Sequence, residues 1–155
     1  METEVTIRED GVTVKRLFDA EVERVFDAWT DPEKVSTWWG CAMTTKVEST
    51  VDLRVGGQYR HKMTMEGHGD YDAIGTIVAL EAPNFFAYTI EMPAMEGMPA
   101  MPTQGIQVRF EDVEGKTLVT LDHSGIVMDM IKGEVKKGWS AAFDKLANRL
   151  PEFSG

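Results

Sequence analysis

Near its carboxyl end the chain carries a pattern that restricts its fold to one that can bury a single long helix. Apolar residues recur at helical spacing at Ile131, Val135, Trp139, Ala142, Phe143, Leu146 and Leu150. Asp129 can cap the start of this helix, and Pro151 ends it. A helix with one apolar face is stable only when that face packs against another element. The rest of the chain must therefore supply an apolar surface for a helix over Met128 to Leu150.

The middle of the chain, Thr44 to Gly125, predicts antiparallel strands that can supply this surface. Apolar and polar residues alternate in several short runs that end at turn signals such as Gly56-Gly57. The residues expected to share strand faces are Tyr59, His61 and Met63; Phe86, Tyr88 and Ile90; and Val119, Leu121 and His123. The run from Tyr71 to Leu80 becomes apolar on both faces, and an earlier strand, Val5 to Phe18, is interrupted at Gly11. Short strands joined by short turns predict an antiparallel meander.

Two short helices are predicted after the first strand. The first has an apolar face made of Val22, Val25, Phe26 and Trp29. Asp19 is its expected N-cap. Asp31 followed by Pro32 starts the second helix, because Asp is a good N-cap and Pro suits the first helical position. This second helix is expected to end at Gly40.

The predicted fold is therefore α+β. It is a curved antiparallel sheet wrapped around a long carboxy-terminal helix, with two short helices after the first strand, in a single domain over residues 1–155. The chain has no internal repeat, low-complexity tract or linker that would mark a domain boundary. A strongly curved sheet that grips one helix tends to leave a cavity between them, and such a cavity is a natural site for an apolar ligand.

Charge and composition exclude several classes of partner. Lysine and arginine total 16 against 26 acidic residues, a net charge of −10, so the chain is expected to repel nucleic acid. No apolar run approaches the roughly 20 residues that span a bilayer. The acidic start, Met1 to Glu4, is unlike a basic targeting segment, and a single cysteine, Cys41, excludes an intramolecular disulfide. These features predict a cytoplasmic protein with no membrane span.

Nine residues are candidates for contact with a ligand in the predicted cavity. They are Trp39, Tyr59, His61, Met63, Tyr71, Tyr88, His123, Val135 and Trp139. His61 and His123 are each in phase with apolar residues, so both imidazoles are expected on the concave face. There a histidine can orient a polar ligand group or transfer a proton. The alternative is that the histidines are hydrogen-bonded core residues and that the aromatic side chains only pack the core.

No motif specifies a reaction, a metal or a cofactor. The chain has no P-loop, dinucleotide fingerprint, G-x-S-x-G elbow or H-E-x-x-H motif. Cys41 could act as a nucleophile only beside a histidine or a cation, and is otherwise a small, partly buried residue. Glu66, His68, Asp70 and Asp72 alternate but lack the spacing of a metal motif, which favours a solvated turn. We therefore predict no catalytic residue, no metal site and no cofactor.

The segment from Met92 to Thr103 is the most unusual part of the sequence. Its methionines recur every three residues, and the prolines between them exclude a regular helix or a central strand. Methionine is flexible and polarisable, so such a segment can adapt to varied apolar surfaces. It is expected to be a lid over the cavity, a contact surface for a partner chain, or a loop packed on its own domain.

Three segments resemble one known family, in the right order along the chain. They are RLFDAEVERVFDAWTDPEKVSTWWG (Arg16 to Gly40), DLRVGGQYRHKM (Asp52 to Met63) and GWSAAFDKLANRL (Gly138 to Leu150). They resemble the signatures of the family related to activators of the heat shock protein 90 ATPase. That family is part of the START-like, or SRPBCC, helix-grip superfamily, which includes birch-pollen-allergen-like proteins. The resemblance implies the helix-grip fold over nearly the whole chain. It leaves function open, since the superfamily holds lipid carriers, hormone receptors, cyclase subunits and co-chaperone domains.

Three functions are therefore expected as alternatives. The first is binding of a small apolar or aromatic molecule between the sheet and the long helix. The second, implied by the resemblance, is a protein-interaction module that acts on a chaperone or another protein, although the chain is too short to include the separate amino-terminal domain of the eukaryotic activators. The third is a cyclase-like or hydrolase-like enzyme with His61, His123 or Tyr71 as acid–base groups. The protein is expected to be a monomer or a homodimer.

Overall fold

In the part of the chain that the structure describes, a long α-helix and two short ones pack on one curved antiparallel sheet of eight strands. A computed structural model describes residues 3–40, 44–67, 69–91, 103–126 and 129–153. The elements in chain order are β1 (Glu4–Arg8), β2 (Gly11–Phe18), α1 (Val22–Thr30), α2 (Pro32–Val35), β3 (Thr44–Val51), β4 (Tyr59–Met65), β5 (Gly69–Glu81), β6 (Phe85–Glu91), β7 (Gln104–Val113), β8 (Lys116–Ser124) and α3 (Asp129–Arg149). The strand order is β1-β2-β8-β7-β6-β5-β4-β3, so an amino-terminal hairpin extends a meander of the other strands. The predicted α+β architecture is confirmed. Within the described ranges no helix is long and apolar enough to cross a membrane.

The first predicted strand is a hairpin rather than a single interrupted strand. Glu9 and Asp10 form the turn, and Arg8 pairs with Gly11 across it. From Gly11 onward β2 pairs with β8. The two backbones come so close that a Cβ on Gly11 would lie 1.9 Å from the carbonyl oxygen of His123. Glycine is required here by the approach of β8, which the sequence pattern alone does not reveal.

The first short helix buries the face that the sequence predicts. Val22, Val25, Phe26 and Trp29 are all buried. The predicted cap at Asp19 is wrong, because Asp19 and Ala20 form a bend and the helix begins only at Val22. The N-cap residue is Glu21, whose side chain makes no capping hydrogen bond. The stability of α1 therefore comes from its buried face rather than from its cap.

The second short helix ends earlier than predicted. Asp31 caps it as expected, since its side chain accepts a hydrogen bond from the backbone N–H of Glu33 at 2.9 Å. The helix covers only Pro32–Val35, and turns follow. In these turns Trp38 is fully buried, and its indole N–H donates to the carbonyl oxygen of Ala28 at 3.0 Å. This hydrogen bond holds the turns against α1.

The long helix α3 packs on the sheet through the predicted apolar stripe. Its buried apolar residues are Trp139, Ala142, Phe143 and Leu146. Lys132 is also buried, and its ammonium group donates to the carbonyl oxygen of Glu9 at 2.6 Å. Farther along, Asp144 forms an ion pair with Arg16 of β2 at 2.6 Å. These two contacts connect α3 to the amino-terminal hairpin at two points.

The core between α1, α3 and the sheet is a cluster of aromatic rings centred on Trp29. The Trp29 side chain is fully buried, and its ring centroid lies 4.6 to 6.2 Å from those of Trp38, Phe86, Phe110, Trp139 and Phe143. Aromatic pairs at these separations are favourable beyond the apolar area that they bury. Since Trp139 also faces the cavity beneath α3, this cluster is continuous with the candidate site.

Candidate functional site

An apolar pocket of about 260 Å³ lies between α3 and the sheet. It is lined by Trp39, Gly40, Met63, Met65, Ala73, Ile90, Ile106, His123, Glu134, Val135, Gly138, Trp139 and Ala142. Strands β4 to β8 supply one wall, α3 supplies the facing wall, and the segment after α2 supplies Trp39 and Gly40. The lining residues therefore come from both the sheet and the long helix.

Five of the nine candidate residues line this pocket: Trp39, Met63, His123, Val135 and Trp139. Other residues that line the pocket are not among the nine candidates, although the sequence contains a signal for two of them. Ile90 is in phase with Tyr88 on β6, and Ala142 follows Trp139 by three residues on the same face of α3. The two periodicities thus place both residues on the correct faces, but they do not show which residues of a face line the pocket.

The polar atoms of His123 and Trp139 are satisfied by hydrogen bonds within the protein. The indole N–H of Trp139 donates to Nδ1 of His123 at 2.9 Å. Because an indole nitrogen can only donate, the proton of His123 is on Nε2, which donates to Oε1 of Gln104. Burial, with a smaller effect of the Arg8 charge, lowers the pKa of His123 to about 4. His123 is therefore neutral at pH 7 and has no free ring nitrogen to offer as an acid or a base.

The other wall residues make the pocket almost entirely apolar. Glu134 supplies a charged group, but its side chain is exposed and lies 3.7 Å from the ammonium nitrogen of Lys137. The remaining side chains are aliphatic, aromatic or thioether groups. An apolar wall of this kind favours an apolar or aromatic molecule through the burial of its surface.

Three further candidates lie behind the pocket wall. They are Tyr59, His61 and Tyr88, and we call them the aromatic layer. All three are almost fully buried, and none lines the pocket. The His61 ring stacks on the Trp39 ring with centroids 3.9 Å apart, and the Tyr88 centroid lies 6.4 Å from that of Trp39. Tyr59 lies between them, with centroids 4.7 Å from His61 and 4.5 Å from Tyr88. Trp39 thus contacts the aromatic layer and also lines the pocket.

Burial keeps the aromatic layer uncharged near neutral pH. It lowers the pKa of His61 to about 3, and it raises the pKa of Tyr59 well above the ordinary value of 10. The pKa of Tyr88 is also raised well above 10, by burial and then by the neighbouring Tyr59. His61 Nδ1 is hydrogen-bonded to the hydroxyl of Ser49 at 2.7 Å. The layer therefore presents neutral hydrogen-bonding groups.

The remaining candidate, Tyr71, lies in a different depression. Tyr71 of β5 pairs with Met63 of β4. This pair lies on the same face of the sheet as the pair of His61 and Ala73, but two residues closer to the β4–β5 turn. There it lines a mixed polar groove with charged side chains such as Lys46 and Asp72. The structure thus does not bring Tyr71 into the apolar pocket.

Several sequence features lie outside the described residues. They are Cys41, His68, Met128 and positions 92–102 of the methionine-rich segment. In the part of the chain that the structure describes, no group of three or more His, Cys, Asp or Glu side chains is placed to hold a metal ion.

Comparison with known proteins shows that the chain is similar to one family and to several solved structures. The family model described as Activator of Hsp90 ATPase homolog 1-like protein matches residues 19–150. No curated protein matches the chain in sequence.

The structural similarity extends over nearly the whole chain. A protein from Arthrobacter aurescens superposes with a TM-score of 0.83 at 21% identity, covering 100% of this chain and 94% of that chain. A protein from Rhodobacter sphaeroides gives a TM-score of 0.82 at 16% identity, covering 99% and 100% respectively. The AHSA1 protein from Silicibacter pomeroyi gives a TM-score of 0.78 at 21% identity, covering 90% of this chain and 96% of that chain. At these identities the similarity shows the fold.

Proposed function

Because the chain belongs to the Activator of Hsp90 ATPase homolog 1-like family, whose helix-grip fold places a long helix over a curved sheet, we propose that it binds a small apolar or aromatic molecule in the pocket beneath α3. The residues that would contact this molecule include Trp39, Met63, His123, Val135 and Trp139. The ligand would be held mainly by burial of its apolar surface and by contacts with the two indole rings.

The observation that carries this proposal is that the ring nitrogens of His123 and Trp139 in the pocket wall already form hydrogen bonds within the protein. Trp139 donates to His123, and His123 donates to Gln104, so these polar groups already have partners. An apolar ligand would therefore enter without leaving them unpaired, whereas a highly polar ligand would lose its hydration and gain few hydrogen bonds from the wall.

The size of the pocket restricts the ligand further. Its volume of about 260 Å³ exceeds the roughly 150 Å³ of a cavity that holds benzene. It is just below the roughly 300 to 1,000 Å³ of most small-molecule pockets. A molecule with two fused rings, such as 2-naphthol, is therefore a suitable probe.

We expect Ala142→Leu to weaken the binding of 2-naphthol about tenfold or more. Ala142 is buried and faces the pocket from α3. A leucine at this position would place three additional carbon atoms in the space that the probe needs. Isothermal titration calorimetry at pH 7 measures the affinity.

The matched control is Ala141→Leu, the same change at the neighbouring position, which does not line the pocket. This variant should bind 2-naphthol as the natural protein does, and thermal melting should show that both variants are folded. Equal affinities for all three proteins would place the probe elsewhere, and no binding by the natural protein would contradict the proposal.

A second candidate function is stimulation of a chaperone ATPase, and the observation that favours it is the family match itself. The family is named after activators of the Hsp90 ATPase. A measurement of the ATPase rate of Hsp90 with and without saturating amounts of this protein tests the idea. An unchanged rate would rule out this activity without affecting the proposed ligand binding.

A further inference from the structure

Two polar atoms of the aromatic layer have no hydrogen-bond partner among the described residues. They are Nε2 of His61 and the hydroxyl oxygen of Tyr88, and both are fully buried. Buried polar atoms nearly always have a partner in a folded protein, so each exception needs an explanation. The third ring of the layer behaves differently, since the hydroxyl of Tyr59 donates to the carbonyl oxygen of Trp29 at 2.7 Å.

Both unpartnered groups belong to residues whose neighbours line the pocket. Ala73 lines the pocket and is the cross-strand partner of His61, while Ile90 lines it two residues beyond Tyr88 on the same face of β6. The Trp39 ring contacts both the His61 and the Tyr88 ring and also lines the pocket. Trp39 is therefore shared between the wall of the apolar pocket and the contacts with the two rings that carry these polar atoms.

The character of the two groups restricts what they can bind. Both are neutral at pH 7, since burial lowers the pKa of His61 to about 3 and raises that of Tyr88 well above 10. No ionic side chain contacts the aromatic layer among the hydrogen bonds and ion pairs of the described residues. A charged ligand group would be buried there without a counter-ion, which is strongly unfavourable. An uncharged hydroxyl or carbonyl oxygen would instead gain a hydrogen bond.

We propose, on the basis of the ligand-binding function above, that Trp39 separates the apolar pocket from a polar subsite in which His61 Nε2 and the Tyr88 hydroxyl receive the uncharged polar end of the ligand. A rotation of the Trp39 indole would admit this end. The ligand class is thus narrowed to apolar or aromatic molecules that carry one hydroxyl or carbonyl group, such as phenols and aryl ketones.

The test compares two probes that differ by a single hydroxyl group, naphthalene and 2-naphthol. Calorimetric titration of the natural protein should give an affinity for 2-naphthol about tenfold above that for naphthalene. Only 2-naphthol carries a hydroxyl group that can form a hydrogen bond with the unpartnered atoms of the subsite. Tyr88→Phe should reduce this ratio to about two or less and leave the naphthalene affinity within about twofold. The melting temperature of Tyr88→Phe should not fall, because the hydroxyl that it removes has no partner.

The matched control is Tyr59→Phe, the same chemical change on the neighbouring ring whose hydroxyl already has a partner. It should leave the ratio of the two affinities unchanged. Equal binding of both probes by the natural protein, or an unchanged ratio in Tyr88→Phe, would overturn the polar subsite and leave the apolar pocket intact. Binding of neither probe would contradict the pocket function as well.

Discussion

Replacing Trp29 with alanine should lower the free energy of unfolding by about 4 kcal/mol, since large-to-small changes of this type in a core cost about 3 to 5 kcal/mol. Trp29 is fully buried and contacts the aromatic rings that join α1 and α3 to the sheet. Its indole nitrogen has no partner in the described residues, so the loss comes from packing rather than from a hydrogen bond. Urea unfolding at pH 7 measures it, and the melting temperature should fall by about 10 °C.

A matched control is Phe85→Ala, an aromatic-to-alanine change on β6. Phe85 is only half buried and lies on the opposite face of the strand from Phe86, a core residue. Its loss should therefore cost clearly less than that of Trp29. If the two variants were equally stable, Trp29 would not be the centre of the core.

Acid should destabilise the protein through its two buried histidines. In the unfolded chain a histidine binds a proton near pH 6.5. In the folded chain His123 binds one only near pH 4 and His61 only near pH 3. Between pH 6.5 and these lower values the unfolded chain binds more protons than the folded chain. The free energy of unfolding therefore falls as the pH falls from about 6.5 to about 4. The slope approaches about 1.4 kcal/mol per pH unit for each histidine.

The total loss by pH 4 is on the order of 5 kcal/mol, which is comparable to the whole stability of an ordinary domain. Urea unfolding at half-unit intervals of pH measures this dependence. His123→Gln removes one of the two titrating groups and should reduce the slope between pH 5.5 and 4.5 to about half. A stability that stays constant over this range would mean that the histidines are not buried in their neutral form.

Strand alternation was sufficient to place His61 and His123 on the inner face of the sheet, and helical spacing was sufficient to place Trp139 and Val135 opposite them. Both rules depend only on local backbone geometry. The same rules could not distinguish a residue that lines the pocket from one behind it. His61 lies behind the wall because Trp39 stacks on its ring, and Trp39 reaches that position through turns after α2.

Irregularities within the strands were also beyond the sequence pattern. The run from Tyr71 to Leu80 contains apolar residues in consecutive positions, and the structure shows a shift of register between Ile77 and Ala79. Ile77 is fully buried, while Val78 beside it is 52% exposed. A bulge of this kind depends on the pairing of β5 with β6, which is a tertiary property.

The most direct test of ligand binding beneath α3 uses the indole N–H signals of the tryptophans in a ¹⁵N-labelled sample titrated with 2-naphthol. Trp39 and Trp139 line the pocket, whereas Trp38 does not and is hydrogen-bonded to Ala28. Saturable shifts of the Trp39 and Trp139 signals, with a much smaller change for Trp38, are the expected result. Unchanged Trp39 and Trp139 signals up to the solubility limit of the probe would contradict ligand binding in this pocket.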